Sequence, residues 1–357
     1  MRATLEQVCN RDSSNLMQKE VAKMTGDYPI FGASGQIGTA DFYHQAAPYV
    51  AVVKDGAGIG RTMLLPGFSS VIGTLQYLLP KENVLPGYLY YVVHHMKLAK
   101  YFSGATIPHI YFRDYKNEEF NLASLDKQRE IVSTLNKIQS VIKHRRAQLA
   151  KLDELVKCRF VELFGDPVLN EKAWPCENFS KYIEFITSGS RGWAKYYSDK
   201  GSYFITIKNV KKCNITTENV QYVNPPNNAE ATRTKVEEGD LLISITADLG
   251  RTGVVTKEIA QYGAYINQHL TCVRIRKGCL HPVYVAHFLE TDAGKMQFLS
   301  KNQNAVKAGL NFDAIKSIQL LIPPISEQKH FVSFLARIDK LRVIGKRSII
   351  YETGWQS

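Results

Sequence analysis

Leu125-Asp126-Lys127-Gln128-Arg129-Glu130-Ile131-Val132 has a second copy about 200 residues later, Ile325-Ser326-Glu327-Gln328-Lys329-His330-Phe331-Val332. The match continues through Leu135 and Leu335, then Ile138 and Ile338. Upstream, at the same offset, Ile110, Phe112 and Lys116 face Leu310, Phe312 and Lys316. Further back, Gly60-Arg61-Thr62 matches Gly250-Arg251-Thr252 at a slightly shorter offset. Ordered matches over most of a half-chain mean two copies of one architectural unit.

From the quoted segment onward the period is helical. Ile131, Leu135, Ile138, Ile142, Leu149, Leu152, Val156 and Leu163 recur at alternating steps of three and four, interrupted by Arg145 and Arg159. Asp126 is the expected N-cap, and Gly165-Asp166-Pro167 the expected stop. A helix from about Asp126 to Phe164 is roughly 60 Å long. So long an apolar seam needs a partner helix. The second copy supplies one, with Phe331, Leu335 and Ile338 in register. It is expected to be short, ending near residue 345 with an unrelated tail, 346–357.

Before each helix lies a segment with strand grammar. Tyr49–Val53, Tyr203–Ile207, Leu241–Thr246 and Leu270–Arg276 are β-branched or aromatic runs between Gly, Asn, Asp and Pro. Helices are expected at Gly87–Tyr101 and Val283–Leu299. The fold class is therefore α+β: two mostly-β domains separated by long helices that pair as an antiparallel coiled coil. The expected boundaries are 1–124, 125–165, 166–324, 325–345 and 346–357.

Composition narrows the partner. The chain has 357 residues and a formal net charge of +12, which favours a polyanion, nucleic acid before membrane. No run reaches the roughly 18 apolar residues of a membrane span, and MRATLEQVCNRDSS lacks a signal-peptide core. The six cysteines show no CxxC pair, which fits reduced thiols in a cytoplasm rather than a zinc site or disulfide framework.

These features resemble the specificity subunit of type I restriction–modification systems. The most specific piece is Leu320-Leu321-Ile322-Pro323-Pro324-Ile325-Ser326-Glu327-Gln328, similar to the family's entry into its long helix. Phe164-Gly165-Asp166-Pro167 is similar to the close of that helix. Tyr28-Pro29-Ile30-Phe31-Gly32, Ile37-Gly38 and Lys54-Asp55-Gly56 resemble one class of target recognition domain, as does Ala264-Tyr265-Ile266-Asn267-Gln268. The first junction departs from the pattern: Ala123-Ser124-Leu125-Asp126-Lys127-Gln128 lacks the Pro-Pro and the Glu. The resemblance implies a non-catalytic reader of bipartite double-stranded DNA, with the helix pair as a ruler. It also implies methyltransferase and restriction subunits as partners. S-adenosylmethionine and ATP would belong to those partners, and no cofactor to this chain.

Base reading needs Arg or Lys for guanine and Asn or Gln for adenine. Near strand ends and Gly-rich turns the candidates are Lys54, Arg61, His109 and Arg113 in the first copy. In the second they are Arg191, Lys195, Lys208, Asn209, Arg251, Asn267 and Gln268. Asn224-Pro225-Pro226-Asn227 lacks the aromatic residue of an adenine methyltransferase and reads as a turn. Gly56-Ala57-Gly58-Ile59-Gly60-Arg61 lacks the GK[ST] ending of a phosphate loop. The histidines show no metal spacing. A type IIB-like specificity subunit, an orphan adenine methyltransferase and a helical scaffold are the other readings.

Overall fold

A computed structural model describes residues 1–104, 108–302 and 309–353. Contacts divide the described residues into unit one, Met1–Arg146 with 348–353, and unit two, Ala147–Arg347. The division falls inside the first long helix, not at its ends. The reason lies in the packing of each half. Ile131 and Val132 join the core of unit one. Leu152, Val156, Phe160, Leu163 and Phe164 join the core of unit two.

In unit one a four-stranded antiparallel sheet runs Cys9–Ser13, Leu75–Pro80, Tyr49–Val53, Thr62–Leu65. All five residues of Tyr49–Val53 are buried, because the strand is central and covered on both faces. A second sheet orders Gly35–Ala40, Tyr28–Gly32 and Ser70–Val71, the last pair parallel. Unit two repeats the plan. Ile183–Ser188, Leu270–Ile275, Leu241–Ser244 and Thr252–Val254 form one sheet. Tyr197–Ser198, Gln221–Val223, Ser202–Ile205 and Ala264–Ile266 form the other, again with a parallel last pair.

The matched Gly-Arg-Thr segments are one turn built twice. Val53 N–H donates to the Arg61 carbonyl at 2.9 Å and Gly60 N–H to the Val53 carbonyl at 2.8 Å. Ser244 and Gly250 make the same pair of bonds with Arg251 and Ser244, each at 2.9 Å. Gly60 and Gly250 have φ near +76° and +77°. A Cβ on either would strike its neighbour, at 2.4 Å from Ala99 N or 2.3 Å from the Phe298 ring. Glycine is thus required by both conformation and space.

Each expected domain helix is interrupted. Gly87–Tyr101 is an α-helix, Pro86–His95, followed by a 3-10 turn, Leu98–Tyr101, with Lys97 left-handed between them. Val283–Leu299 is Pro282–Leu289 and Asp292–Asn302. A Cβ on Gly294 would lie 2.4 Å from the Leu289 carbonyl oxygen, so the second helix folds close over the end of the first.

The first long helix spans Leu125–Phe164, 40 residues. Ser124, not Asp126, precedes it: the Lys127 N–H reaches the Ser124 hydroxyl at 3.5 Å, and Asp126 instead bonds Arg129 at 2.5 Å. At its end Gly165 takes φ +78° and donates to the Val161 carbonyl. Trp174 Nε1 and Lys172 Nζ bond the carbonyls of Phe164, Glu162 and Leu163 that the helix end leaves open.

The second long helix spans Ile325–Thr353, 29 residues, and does not stop near 345. Of the anticipated tail, residues 346–353 are helical, and 354–357 lie outside the described residues. Nothing in Gly345–Thr353 breaks a helix outright; a mid-helix glycine costs only about 1 kcal/mol relative to alanine. Gly345 has a packing reason, since a Cβ there would lie 3.2 Å from Leu149.

Within unit two the long helices pair antiparallel. Leu149 meets Gly345, Asp153 bonds Arg342 at 2.8 Å, Arg159 lies 3.2 Å from His330, and Phe160 packs on Phe331. Burial alternates by three and four through Gln328, Phe331, Leu335, Ile338, Arg342 and Gly345, the heptad seam of a coiled coil. Ile142 and Val156 are buried on the first helix, while Leu135, Ile138 and Leu149 are half-buried. Ile131 packs into the domain core of unit one.

His287 packs edge-on against Phe331 at 5.1 Å. Burial, aided by the Arg342 charge, pushes its pKa from 6.5 down to about 4. A depressed histidine stabilises the fold above its unfolded value, and that contribution is lost as pH falls through the folded one. The stability of unit two should therefore decline from pH 6.5 toward 4, with a shallower decline in His287→Gln. Urea titrations across that range would read this, and identical slopes would refute it.

Candidate nucleic-acid interface

The strand pairings bring most of the candidate residues to one end of the four-stranded sheet in each unit. In unit two, Ser188 pairs with Thr271, Ser244 with Leu270, and Ile243 with Thr252. The connections 188–191, 244–252 and 267–270 therefore share that end. In unit one, Ser13 pairs with Gln76, Val53 with Leu75, and Val52 with Thr62. The connection 53–62 holds the equivalent place.

At the end of unit two, Gly189 lets two backbones meet. A Cβ there would lie 2.1 Å from the Asn267 carbonyl oxygen. Ser190 N–H donates to the Ile266 carbonyl, and Gln268 N–H to the Ser190 carbonyl. The approach sets Arg191 beside Gln268, with Nε donating to Oε1 at 2.6 Å. Gln268 Nε2 lies 3.3 Å from His269 Nε2, and His269 Nδ1 lies 2.8 Å from the Thr246 hydroxyl. Arg191, Gln268, His269 and Thr246 thus form one polar line. Arg191 is exposed and has one of its five N–H donors engaged within the described residues. Asn267 is half-buried and accepts from His269 N–H at 3.2 Å.

Trp193 anchors the loop carrying Arg191 and Lys195. It is 3% exposed, stacks on Phe204 at 5.7 Å, and bonds Glu230. Lys195 is exposed, with its ammonium 5.0 Å from the Tyr196 ring centre. Lys208 is exposed on a 3-10 turn.

Two candidates are held by their own surroundings. Asn209 is 4% exposed, and its amide bonds Thr206 and Thr216, closing a turn. Arg251 is half-buried and forms an ion pair with Asp248 within its own turn.

In unit one Lys54 is half-buried, and its carbonyl accepts from Ile110 N–H, as the Ile245 carbonyl accepts from Leu310 N–H. Arg61 is exposed and donates to the Ala33 carbonyl at 2.8 Å, tying the hairpin tip to the sheet end. His109 Nδ1 lies 2.7 Å from Asp55. Its ring stacks over Tyr111 at 6.3 Å, and the Arg113 guanidinium also lies over the Tyr111 ring, 4.7 Å from its centre. The ladder can offer cationic and aromatic contacts, both used on nucleic acids.

Sequence reasoning did not single out Thr246, His269 or Tyr111, which the fold sets beside candidate residues. Thr246 and His269 flank residues already singled out, but only strand pairing makes them neighbours. Asn224-Pro225-Pro226-Asn227 leads into the helix Ala229–Thr234, which Asn228 caps through Ala231 N–H. Among the described residues no helix is long and apolar enough to cross a membrane.

A family model described as the type I restriction modification DNA specificity domain matches residues 2–153 and 199–350. A relative from Methanocaldococcus jannaschii, named "Putative type I restriction enzyme MjaX specificity subunit", is 24% identical over 287 residues. The alignment covers 75% of this chain, and the chain spans 64% of that relative's length. The fold is similar to that of a type I restriction–modification S subunit from M. genitalium, with TM-score 0.64 and 15% identity over 100% of this chain and 93% of that one. It is also similar to a chain in a structure addressing complex assembly and conformational transition of the type I R-M system. There the TM-score is 0.56, with 15% identity over 100% of this chain and 95% of that one.

Proposed function

The chain belongs to the type I restriction–modification DNA specificity family, whose domain it carries twice, and from this premise we propose that it is the subunit that reads DNA sequence. Each unit reads one half of a bipartite site in double-stranded DNA, and the bases between the halves are not read. The long helices dock methyltransferase subunits, and through them restriction subunits. Methyl transfer and ATP-driven steps belong to those partners, so this chain performs no catalysis. The working compartment is the cytoplasm, where the DNA lies.

The observation that carries this reading is the duplicated sheet end, with Arg191 and Gln268 presented in unit two and Lys54, Arg61 and His109 gathered in unit one. The basic surplus of +12 supplies the attraction to phosphate.

The test is duplex binding by the full chain, with preference read from a randomised pool. Affinity should fall steeply between low and physiological salt. Gln268→Ala should weaken one half-site by about 1–3 kcal/mol at one base position and leave the other half unchanged. Salt-independent binding, or a Gln268→Ala change that rewrites both halves, would overturn the two-reader proposal.

A further inference from the structure

On the edge of the unit-two sheet lies an open cavity of about 520 Å³, lined by Phe185, Thr232, Arg233, Lys235, Glu237 and Arg274, together with Ala229. Its three cations are not equivalent. Arg274 grips the fully buried Asp240 carboxylate through two bonds of 2.8 Å and meets Glu237 at 2.9 Å, so its charge is already answered. Arg233 has no carboxylate partner among the described residues. It donates to the Thr187 hydroxyl and, at 2.7 Å, to the Ser188 carbonyl. Lys235 is exposed, and among the described residues its ammonium has no partner.

The anchor of Arg233 is the informative point. Ser188 ends the strand whose next residues are Gly189, Ser190 and Arg191. Ser190 in turn accepts from Gln268 N–H at 3.0 Å. The guanidinium of Arg233 is therefore fixed at the same strand end that presents the Arg191–Gln268 pair. Two exposed cations with open donors in one cavity, one of them fixed at the strand end that presents Arg191 and Gln268, match a passing phosphodiester backbone.

We infer that Arg233 and Lys235 form a phosphate-binding site for the DNA backbone, holding the duplex in register for the reading residues of unit two. This rests on the proposed reading of DNA by that unit. The two residues position the duplex and carry no sequence information. Their loss acts on all sequences alike, and their contribution appears in the salt dependence.

The test uses the full chain with two duplexes of equal length, one selected from a random pool by the wild-type chain and one unrelated. Affinity is measured by fluorescence anisotropy over a salt series. Lys235→Ala and Arg233→Ala should each weaken both duplexes by a similar factor. Each should reduce the slope of log affinity against log salt by about 0.9 per lost phosphate contact. Lys235→Ala removes an exposed side chain, so its result stands even if Arg233→Ala disturbs the strand end it braces. Wild-type slopes in Lys235→Ala, or altered preference at a single base position, would overturn the phosphate site. If the wild-type chain itself selects no bipartite sequence, the reading beneath it falls as well. Selection by the wild type with unchanged slopes in both variants removes this site alone.

Discussion

Phe331→Ala is expected to destabilise unit two by about 3–5 kcal/mol, the usual cost of removing a fully buried phenyl ring from a core that cannot collapse around the gap. Phe331 is 0% exposed. Its ring meets Phe160 at 5.4 Å, Phe164 at 5.6 Å and His287 at 5.1 Å, so it joins the second long helix to the first and to the domain. Phe164 also packs on Tyr284 at 4.7 Å, whose hydroxyl bonds the Leu321 carbonyl. Deleting Phe331 therefore opens a void bordered by three elements. Urea unfolding followed by tryptophan emission in a Trp355→Phe background is a suitable measure, because the other two tryptophans, Trp174 and Trp193, belong to unit two. Leu341→Ala, at a side chain 52% exposed on the same helix, is the control and should stay within about 0.5 kcal/mol. Equal midpoints for the two variants would sink the assignment of Phe331 to the helix seam.

The second large effect concerns a polar residue. Gln328→Ala should cost unit two about 2–4 kcal/mol, because it strands buried backbone groups worth roughly 1–3 kcal/mol each. The Gln328 amide is fully buried. Its oxygen accepts from His281 N–H at 2.8 Å, and its nitrogen donates to the Pro323 carbonyl at 2.8 Å and reaches the Cys279 carbonyl at 3.5 Å. Gln128 does the same work in unit one. It accepts from Leu85 N–H at 2.8 Å and donates to the Asn83 and Ala123 carbonyls at 3.0 and 2.9 Å. Leu85 and His281 each stand just before a helix that begins with proline. Glutamine alone combines the needed reach with both an acceptor and donors. Gln328→Glu keeps the acceptor but loses the donors, and should be at least as damaging as alanine. Gln128→Ala should leave the tryptophan-reported transition of unit two in place. A tolerated Gln328→Ala would mean that the backbone groups find water instead.

The duplicated glutamine shows how far a single sequence reaches. Gln128 and Gln328 stand out as matched residues at a helix start, which is visible from spacing. That each closes a three-element junction is not, because Leu85 and His281 are more than forty residues away in the chain. Asn209 shows the converse. Its residue type fits adenine recognition, yet local hydrogen bonds to Thr206 and Thr216 claim its amide. Arg251 likewise lies at a sheet end, but Asp248 three residues earlier reaches it first.

Sequence by itself determined the duplication, the first long helix and the start of the second with their apolar seams, the strand at Tyr49–Val53 and the basic surplus. These are local or periodic signals, carried by side-chain type at a fixed step along the chain. Only the tertiary structure decided that the second helix continues past Gly345, which is tolerated through its contact with Leu149 rather than through any signal of its own. It alone decided that Arg191, Gln268, His269 and Thr246 form one line, and that Arg233 joins the same strand end. Such groupings depend on which strands pair and in what register, and these are set by the burial pattern of whole strands and by their turns, not by the residue type at a single position.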